Sequence, residues 1–193
     1  MQPDQIHVDV ESLSTKRRAQ LLSIGAAFCD AEFYIEIDTS LYPQDGTFIT
    51  DEATLKWWAD RGGFTPSTDP VSPLAAVSAF SHWARRMTEG LEWFEVWANS
   101  PSFDCEKLRY HYDQFNLTTP WEFWQERCVR TVKNLGKSLH LNVPEVKTVA
   151  HHALADARDQ QRTVDSVITT LAQKVQLAND RADDRDLDLN DLE

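Results

Sequence analysis

The chain has 193 residues, of which 41% are hydrophobic and 10% aromatic, values that exclude a wholly disordered protein and fit one compact domain. No stretch approaches the roughly 20 consecutive apolar residues of a membrane span, and the N-terminus lacks the basic and apolar segments of an export signal. We therefore expect a cytoplasmic protein with no membrane partner. The three cysteines are too few and too scattered for a disulfide framework or a Cys-x-x-Cys metal site.

The formal net charge of −12 argues against a nucleic-acid protein, because phosphate binding normally requires a basic surface. Residues 180–193 account for −5 of this charge, so the remainder of the chain carries −7. Clustered carboxylates that bind divalent cations would neutralise part of that charge and admit a polyanion. We expect residues 1–175 to form the folded domain and 176–193 an acidic, disordered tail.

Hydrophobic periodicity predicts strands first and helices later. Strands with alternating or continuous apolar residues are predicted at 6–10, 21–28, 32–37 and 93–97. Helices with apolar residues at helical spacing are predicted at 51–61, 74–89, 102–115, 129–139 and 152–175. Short connections between the first three strands favour an antiparallel meander. This order predicts an α/β fold in which helices cover a mixed sheet.

Three acidic residues lie where such a fold places functional sites. Asp9 and Glu11 are two residues apart on the first strand, so both side chains share one face while the flanking valines point to the other. A lone Asp-x-Glu pair is usually only a solvent-facing strand edge. Asp104 falls in the first turn of a helix that Ser102 could cap, and the helix dipole alone favours an acid there by about 0.3–1 kcal/mol.

The predicted closing helix begins with two histidines and an aspartate, in the segment His151-His152-Ala153-Leu154-Ala155-Asp156. Histidines can simply solvate a helix end, but imidazole is also the side chain that accepts protons near neutral pH. Helix geometry places His152, four residues before Asp156, on the same face as that carboxylate.

Taken together, the order Asp-x-Glu, Asp, His-x4-Asp resembles the DEDDh 3'-5' exonucleases of the ribonuclease-H-like superfamily. Further segments are similar to one subgroup, the phage and bacterial Rv2179c-like exoribonucleases and exonuclease-VIII-like proteins. These segments are residues 11–13, 22–26, 97–104 and 126–131. The resemblance covers about residues 6 to 172. The chain departs from many relatives after the acidic pair, where it has Ser12-Leu13-Ser14-Thr15-Lys16 in place of an early glycine.

The resemblance implies a ribonuclease-H-like sheet of about five strands and a 3'-5' exonuclease that releases nucleoside 5'-monophosphates from RNA or DNA. Hydrolysis would use two divalent cations, Mg or Mn, because hard cations prefer carboxylate ligands. The implied metal ligands are Asp9, Glu11, Asp104 and Asp156. The family's five-residue spacing selects His151, rather than His152, as the base. The implied substrate contacts are Ser12, Leu13 and Phe103.

Two other functions remain open from the sequence. A catalytically idle module could keep the fold and bind nucleic acid, although the intact acids argue against it. A ribonuclease-H-like endonuclease would share the chemistry and cut internally. The expected partner is a single-stranded or 3'-overhang nucleic acid, with RNA and DNA undecided because no short motif reports on the 2'-hydroxyl. A homodimer is an open possibility.

Overall fold

The structure is a computed structural model that describes residues 4–66, 69–141, 143 and 151–190, with side chains through residue 180. Five strands form one sheet in the order β3-β2-β1-β4-β5. The strands are β1 (Asp4–Ser12), β2 (Leu21–Phe28), β3 (Ala31–Glu36), β4 (Phe94–Ala98) and β5 (Glu126–Cys128). The first three strands form an antiparallel meander, and β1, β4 and β5 run parallel to one another. The predicted mixed sheet is therefore confirmed, with β5 as a short strand that periodicity did not predict.

Five helices of the described ranges flank this sheet. They are α1 (Glu52–Ala59), α2 (Pro73–Met87), α3 (Asp104–Gln114), α4 (Val129–Ser138) and α5 (Ala153–Asn190). The Asp51 carboxylate caps α1 by accepting from the Thr54 amide at 2.8 Å. No side chain caps α3, so the capping role predicted for Ser102 is wrong. The Ser102 hydroxyl instead lies 2.8 Å from that of Ser100.

The two faces of β1 differ in chemistry, as the pleat requires. Val8 and Val10 point into the main core, where Phe80 of α2 and Leu108 of α3 are also buried. The opposite face carries Asp9 and Glu11 and lies under α5, which packs against β1 and β2. The apolar core uses only one face of β1. The acidic pair lies on the other face and is therefore enclosed between the sheet and α5.

The helix α5 continues past residue 175, the last residue of the expected folded domain, and runs to Asn190, within the expected tail of 176–193. The division into an exonuclease domain and a tail stays a prediction. In the part of the chain that the structure describes, no helix combines the length and the apolar character needed to cross a membrane.

Candidate active site

A cavity of about 500 Å³ lies where the end of β1 meets α1, α3 and the beginning of α5. The four carboxylates and the histidine predicted from the motifs all line it: Asp9, Glu11, Asp104, His151 and Asp156. The fold thus brings together three segments that are about 50 to 150 residues apart in the chain. Ser12 and Phe103, two predicted substrate contacts, also line the cavity. Leu13 lies outside the lining, and its carbonyl accepts from the Asp51 amide at 2.9 Å.

One side of the cavity holds Glu11, His151 and Asp156. Each offers a ligand atom, and the three atoms lie within 4.8 Å of one another. Glu11 is positioned by the pleat of β1, and Asp156 by the first turn of α5, where its amide donates to the His152 carbonyl at 2.9 Å. Two carboxylates and an imidazole at this spacing could hold a metal ion.

Asp104 also lines the cavity but is not part of this cluster, and it is 2% exposed. Its Oδ1 accepts from the Val10 amide at 3.2 Å, a contact that ties the start of α3 to β1. Burial raises the pKa of Asp104 to about 7, against the opposing effects of that amide and of the Lys107 ammonium. Burial disfavours the charged form of this carboxyl. A cation bound nearby would stabilise that charged form, so the raised pKa fits a site that holds a cation.

The two histidines at the start of α5 point to different surroundings. His151 has a left-handed backbone (φ 61°) and places its ring edge-on against Trp57, with ring centroids 4.5 Å apart. His152 stacks on Tyr34 at a centroid distance of 4.4 Å, and its Nδ1 lies 3.4 Å from the Ala155 amide. Because His151 precedes the helix, helical periodicity does not apply to it, and it reaches the cavity that His152 does not line.

Comparison with known proteins identifies the family of this chain. Residues 4–168 match the family model described as a 3'-5' exoribonuclease Rv2179c-like domain. The chain belongs to the Rv2179c-like family. A search of curated proteins found no match.

Solved structures that resemble this Rv2179c-like chain are nucleases. Cell-death related nuclease 4 (CRN-4) aligns with a TM-score of 0.56 and 12% identity over 87% of this chain and 64% of its own. The nuclease domain of 3'hExo, a DEDDh family member bound to rAMP, aligns with a TM-score of 0.50 and 9% identity over 83% and 88%. Product-bound exonuclease I aligns with a TM-score of 0.53 and 10% identity over 88% and 44%. The chain thus spans less than two thirds of CRN-4 and of exonuclease I, and these likenesses confirm the ribonuclease-H-like fold.

The residues of the Rv2179c-like site fit the divalent cations that DEDDh nucleases use. Among the described residues, the lining offers carboxylate oxygens and one imidazole, and no cysteine belongs to it. Oxygen donors of this kind suit hard cations such as Mg and Mn, whereas a zinc site would favour thiolates and several imidazoles.

A buried lysine accompanies the acids, and sequence reasoning missed it. Lys107 is 1% exposed, donates to the Phe103 carbonyl at 3.3 Å, and lies 2.9 Å from the centroid of the Phe103 ring. Burial lowers its pKa to about 8, while the charges of Asp104, Glu106 and Asp9 oppose that change. The ammonium therefore offsets part of the repulsion among the carboxylates. Its spacing of three residues from Asp104 on a helix was the available signal.

The wall formed by α1 was also missed. Trp57 and Trp58 line the cavity, and neither belongs to a motif segment of the sequence analysis. The Trp58 indole donates to the Ser12 carbonyl at 3.1 Å, and Arg61 lies over the Trp57 ring at 4.0 Å. Asp51 caps α1 and so holds this helix in place. The hydrogen bonds that the Asp51 carboxylate accepts, of which that from the Ser14 side chain has the largest effect, lower its pKa to about 2. The predicted helix at 51–61 was correct, but nothing in its sequence indicated which element it would contact.

Proposed function

We propose that this protein is a 3'-5' exonuclease that hydrolyses phosphodiester bonds of RNA or DNA from the 3' end and releases nucleoside 5'-monophosphates. The observation that carries the proposal is the meeting of four carboxylates and His151 in one cavity of an Rv2179c-like family member. A strand edge or a helix dipole explains each acid separately, but neither explains why all of them face the same cavity.

The proposed ligands of two divalent cations, Mg or Mn, are Asp9, Glu11, Asp104 and Asp156. Bound in this site, such ions would stabilise the attacking and leaving oxygens of the phosphodiester. Asp9 lies on β1 two residues before Glu11, lines the same cavity as Asp104 and Asp156, and is proposed to serve both ions. Glu11 and Asp156 would join it at the first, and Asp104 at the second. The raised pKa of Asp104 supports a cationic partner close to its carboxylate.

His151 is the proposed general base that takes the proton of the attacking water. Its ring packs perpendicular to the ring of Trp57, so its orientation is restricted before substrate enters. A ring nitrogen lies within 4.8 Å of oxygens of Glu11 and Asp156, whose negative charge would stabilise the imidazolium formed. Proton transfer by a positioned side chain typically contributes about 10²–10⁴-fold to the rate.

Ser12, Leu13 and Phe103 are proposed to contact the terminal nucleotide. A volume of about 500 Å³ suits a small ligand rather than a length of duplex. This supports a single-stranded or 3'-overhang substrate whose last nucleotide enters alone. Because Leu13 does not line the cavity in the structure, its contact would be made at the rim or after a shift of the loop that follows β1.

The test is the release of mononucleotides from 3'-labelled and 5'-labelled single-stranded RNA and DNA, with Mg or Mn and with chelator. The wild type is compared with Asp9→Ala and with Asp30→Ala, a matched variant of an exposed acid on the turn after β2. We expect metal-dependent shortening from the 3' end that Asp9→Ala abolishes and Asp30→Ala retains. The preferred sugar would identify RNA or DNA as the substrate.

Two outcomes would contradict the proposal. Cleavage of a circular single strand, which has no 3' end, would favour the ribonuclease-H-like endonuclease. Binding of labelled strands without cleavage of any of them would favour the idle nucleic-acid-binding module.

A further inference from the structure

A glutamine that no motif includes contacts the central carboxylate of the site. Gln160 lies on α5 one helical turn after Asp156, so the two side chains share a helix face. Its Nε2 donates to Oδ1 of Asp9 at 2.9 Å, across 151 positions of sequence. The Gln160 side chain is nearly inaccessible, with 6% of its surface exposed.

The orientation of this amide is determined by its partner. An ionised carboxylate only accepts hydrogen bonds, so the NH₂ end of Gln160 must face Asp9 and the oxygen must face away. That oxygen, Oε1, is buried and has no hydrogen-bond partner among the residues that the structure describes. A buried acceptor without a donor destabilises a fold. Packing alone would therefore favour methionine, which has a similar shape and no polar atoms.

A role at Asp9 explains why a glutamine is present. The hydrogen bond restricts rotation of the Asp9 carboxylate group. It uses one lone pair of Oδ1, so the other lone pairs of the carboxylate point away from Gln160. It also joins α5, which carries Asp156, to β1, which carries Asp9.

We propose that Gln160 is a positioning residue that holds Asp9 in the orientation needed to bind a divalent cation. The inference rests on the proposed function, in which Asp9 is a metal ligand. Hydrogen-bond partners that orient metal ligands typically change metal affinity or activity by about 10–100-fold when they are replaced. The same range is expected here, without a matching loss of fold stability.

The experiment compares Gln160→Met with Gln161→Met. Gln161 is the adjacent glutamine on the same helix, but its side chain donates to the Cys29 carbonyl at 3.2 Å, away from the acids. Mn²⁺ is titrated into chelator-treated protein by calorimetry, thermal unfolding is measured without metal, and kcat and KM are measured on a labelled oligonucleotide.

We expect Gln160→Met to bind Mn²⁺ about 10–100-fold more weakly and to lose kcat with little change in KM, while its metal-free Tm is equal to or above that of the wild type. Gln161→Met should match the wild type in Mn²⁺ affinity. Gln160→Asn keeps the amide on a side chain too short to reach Asp9, and should behave as Gln160→Met does. It provides the same comparison if the methionine variant does not fold.

Unchanged Mn²⁺ affinity in folded Gln160 variants would overturn the proposal, as would an equal loss in Gln161→Met or a lower Tm with normal affinity. These results are distinguishable from failure of the proposed function. A wild-type protein that binds Mn²⁺ through Asp9 but cleaves nothing would refute the exonuclease and leave the role of Gln160 testable by calorimetry.

Discussion

The buried carboxyl of Asp104 predicts how metal binding depends on pH. Its pKa of about 7 means that a cation which binds there below neutral pH must displace a proton. About one tenth of such a group is ionised at pH 6 and about nine tenths at pH 8. We therefore expect the apparent affinity of the Asp104-dependent ion to rise about tenfold between pH 6 and pH 8.

Calorimetric titration of Mn²⁺ at pH 6, 7 and 8, in buffers with different ionisation enthalpies, measures both the affinity and the protons released. We expect about one proton released per Asp104-dependent ion near pH 6 and few near pH 8. Asp104→Asn should remove this dependence. Histidines ordinarily titrate in the same window, so His151→Ala serves as the control that should retain it. A flat affinity in the wild type, or an unchanged slope in Asp104→Asn, would refute the reasoning.

The same pKa makes a prediction for folding of the metal-free protein. The folded carboxyl binds its proton more tightly than the unfolded chain does, so stability is lost as pH rises from about 4 to about 7. The shift of about three pKa units corresponds to an upper bound of roughly 4 kcal/mol. Denaturant unfolding with chelator should show this loss, and a saturating divalent cation should diminish it because the cation stabilises the ionised form.

Three further predictions concern the two histidines, Trp57 in the α1 wall, and the acidic residues 180–193. In the nuclease assay, His151→Ala should lower kcat by about 10²–10⁴-fold, whereas His152→Ala should retain turnover and lower Tm, because His152 stacks on Tyr34. Trp57→Ala should lower kcat by about tenfold without abolishing Mn²⁺ binding, because it releases the His151 ring. Deletion of 180–193 should leave metal-dependent turnover intact; loss of all activity would contradict the assignment of these residues to a tail outside the catalytic domain.

Strand prediction succeeded where a segment was long enough to show its period. The alternation over residues 6–10 predicted both a strand and the common face of its two acids, and β1 has both features. The strand β5 has only three residues, too few for a period, and exists because Glu126–Cys128 pairs with β4. Its formation depends on a parallel partner about 30 residues away, which local sequence does not report.

The acids that line the cavity were predictable because their order and spacing resemble the DEDDh motifs, whereas the position of each acid in its strand or helix was ambiguous. The residues that hold these acids were not predictable. Gln160 looks like an ordinary helix residue, and only the tertiary fold brings it to Asp9. Lys107 lies close to Asp104 on α3, but the local sequence does not show that both side chains are buried. Helical geometry alone selected His152, and the left-handed backbone at His151 explains why that local argument does not describe the cavity.

Gly25 illustrates how a residue without a functional side chain can control the site. It pairs with Asp9 across β1 and β2, and α5 begins directly above it. A Cβ atom there would overlap the Leu154 amide nitrogen and the Ala153 carbonyl carbon. Both contacts are with backbone, so Gly25→Ala must displace the beginning of α5.

We expect Gly25→Ala to destabilise the protein by about 1–3 kcal/mol or more, as overpacking does, and to weaken Mn²⁺ binding because Asp156 moves with α5. Gly46→Ala is the matched control. Its Cβ would meet no atom within 4 Å, and only its left-handed backbone (φ 81°) is unfavourable for alanine. This variant should lose about 1–2 kcal/mol and keep wild-type Mn²⁺ affinity. Denaturant unfolding and calorimetry measure both effects. Wild-type metal affinity in a folded Gly25→Ala protein would mean that close packing of α5 on β2 does not position the acids.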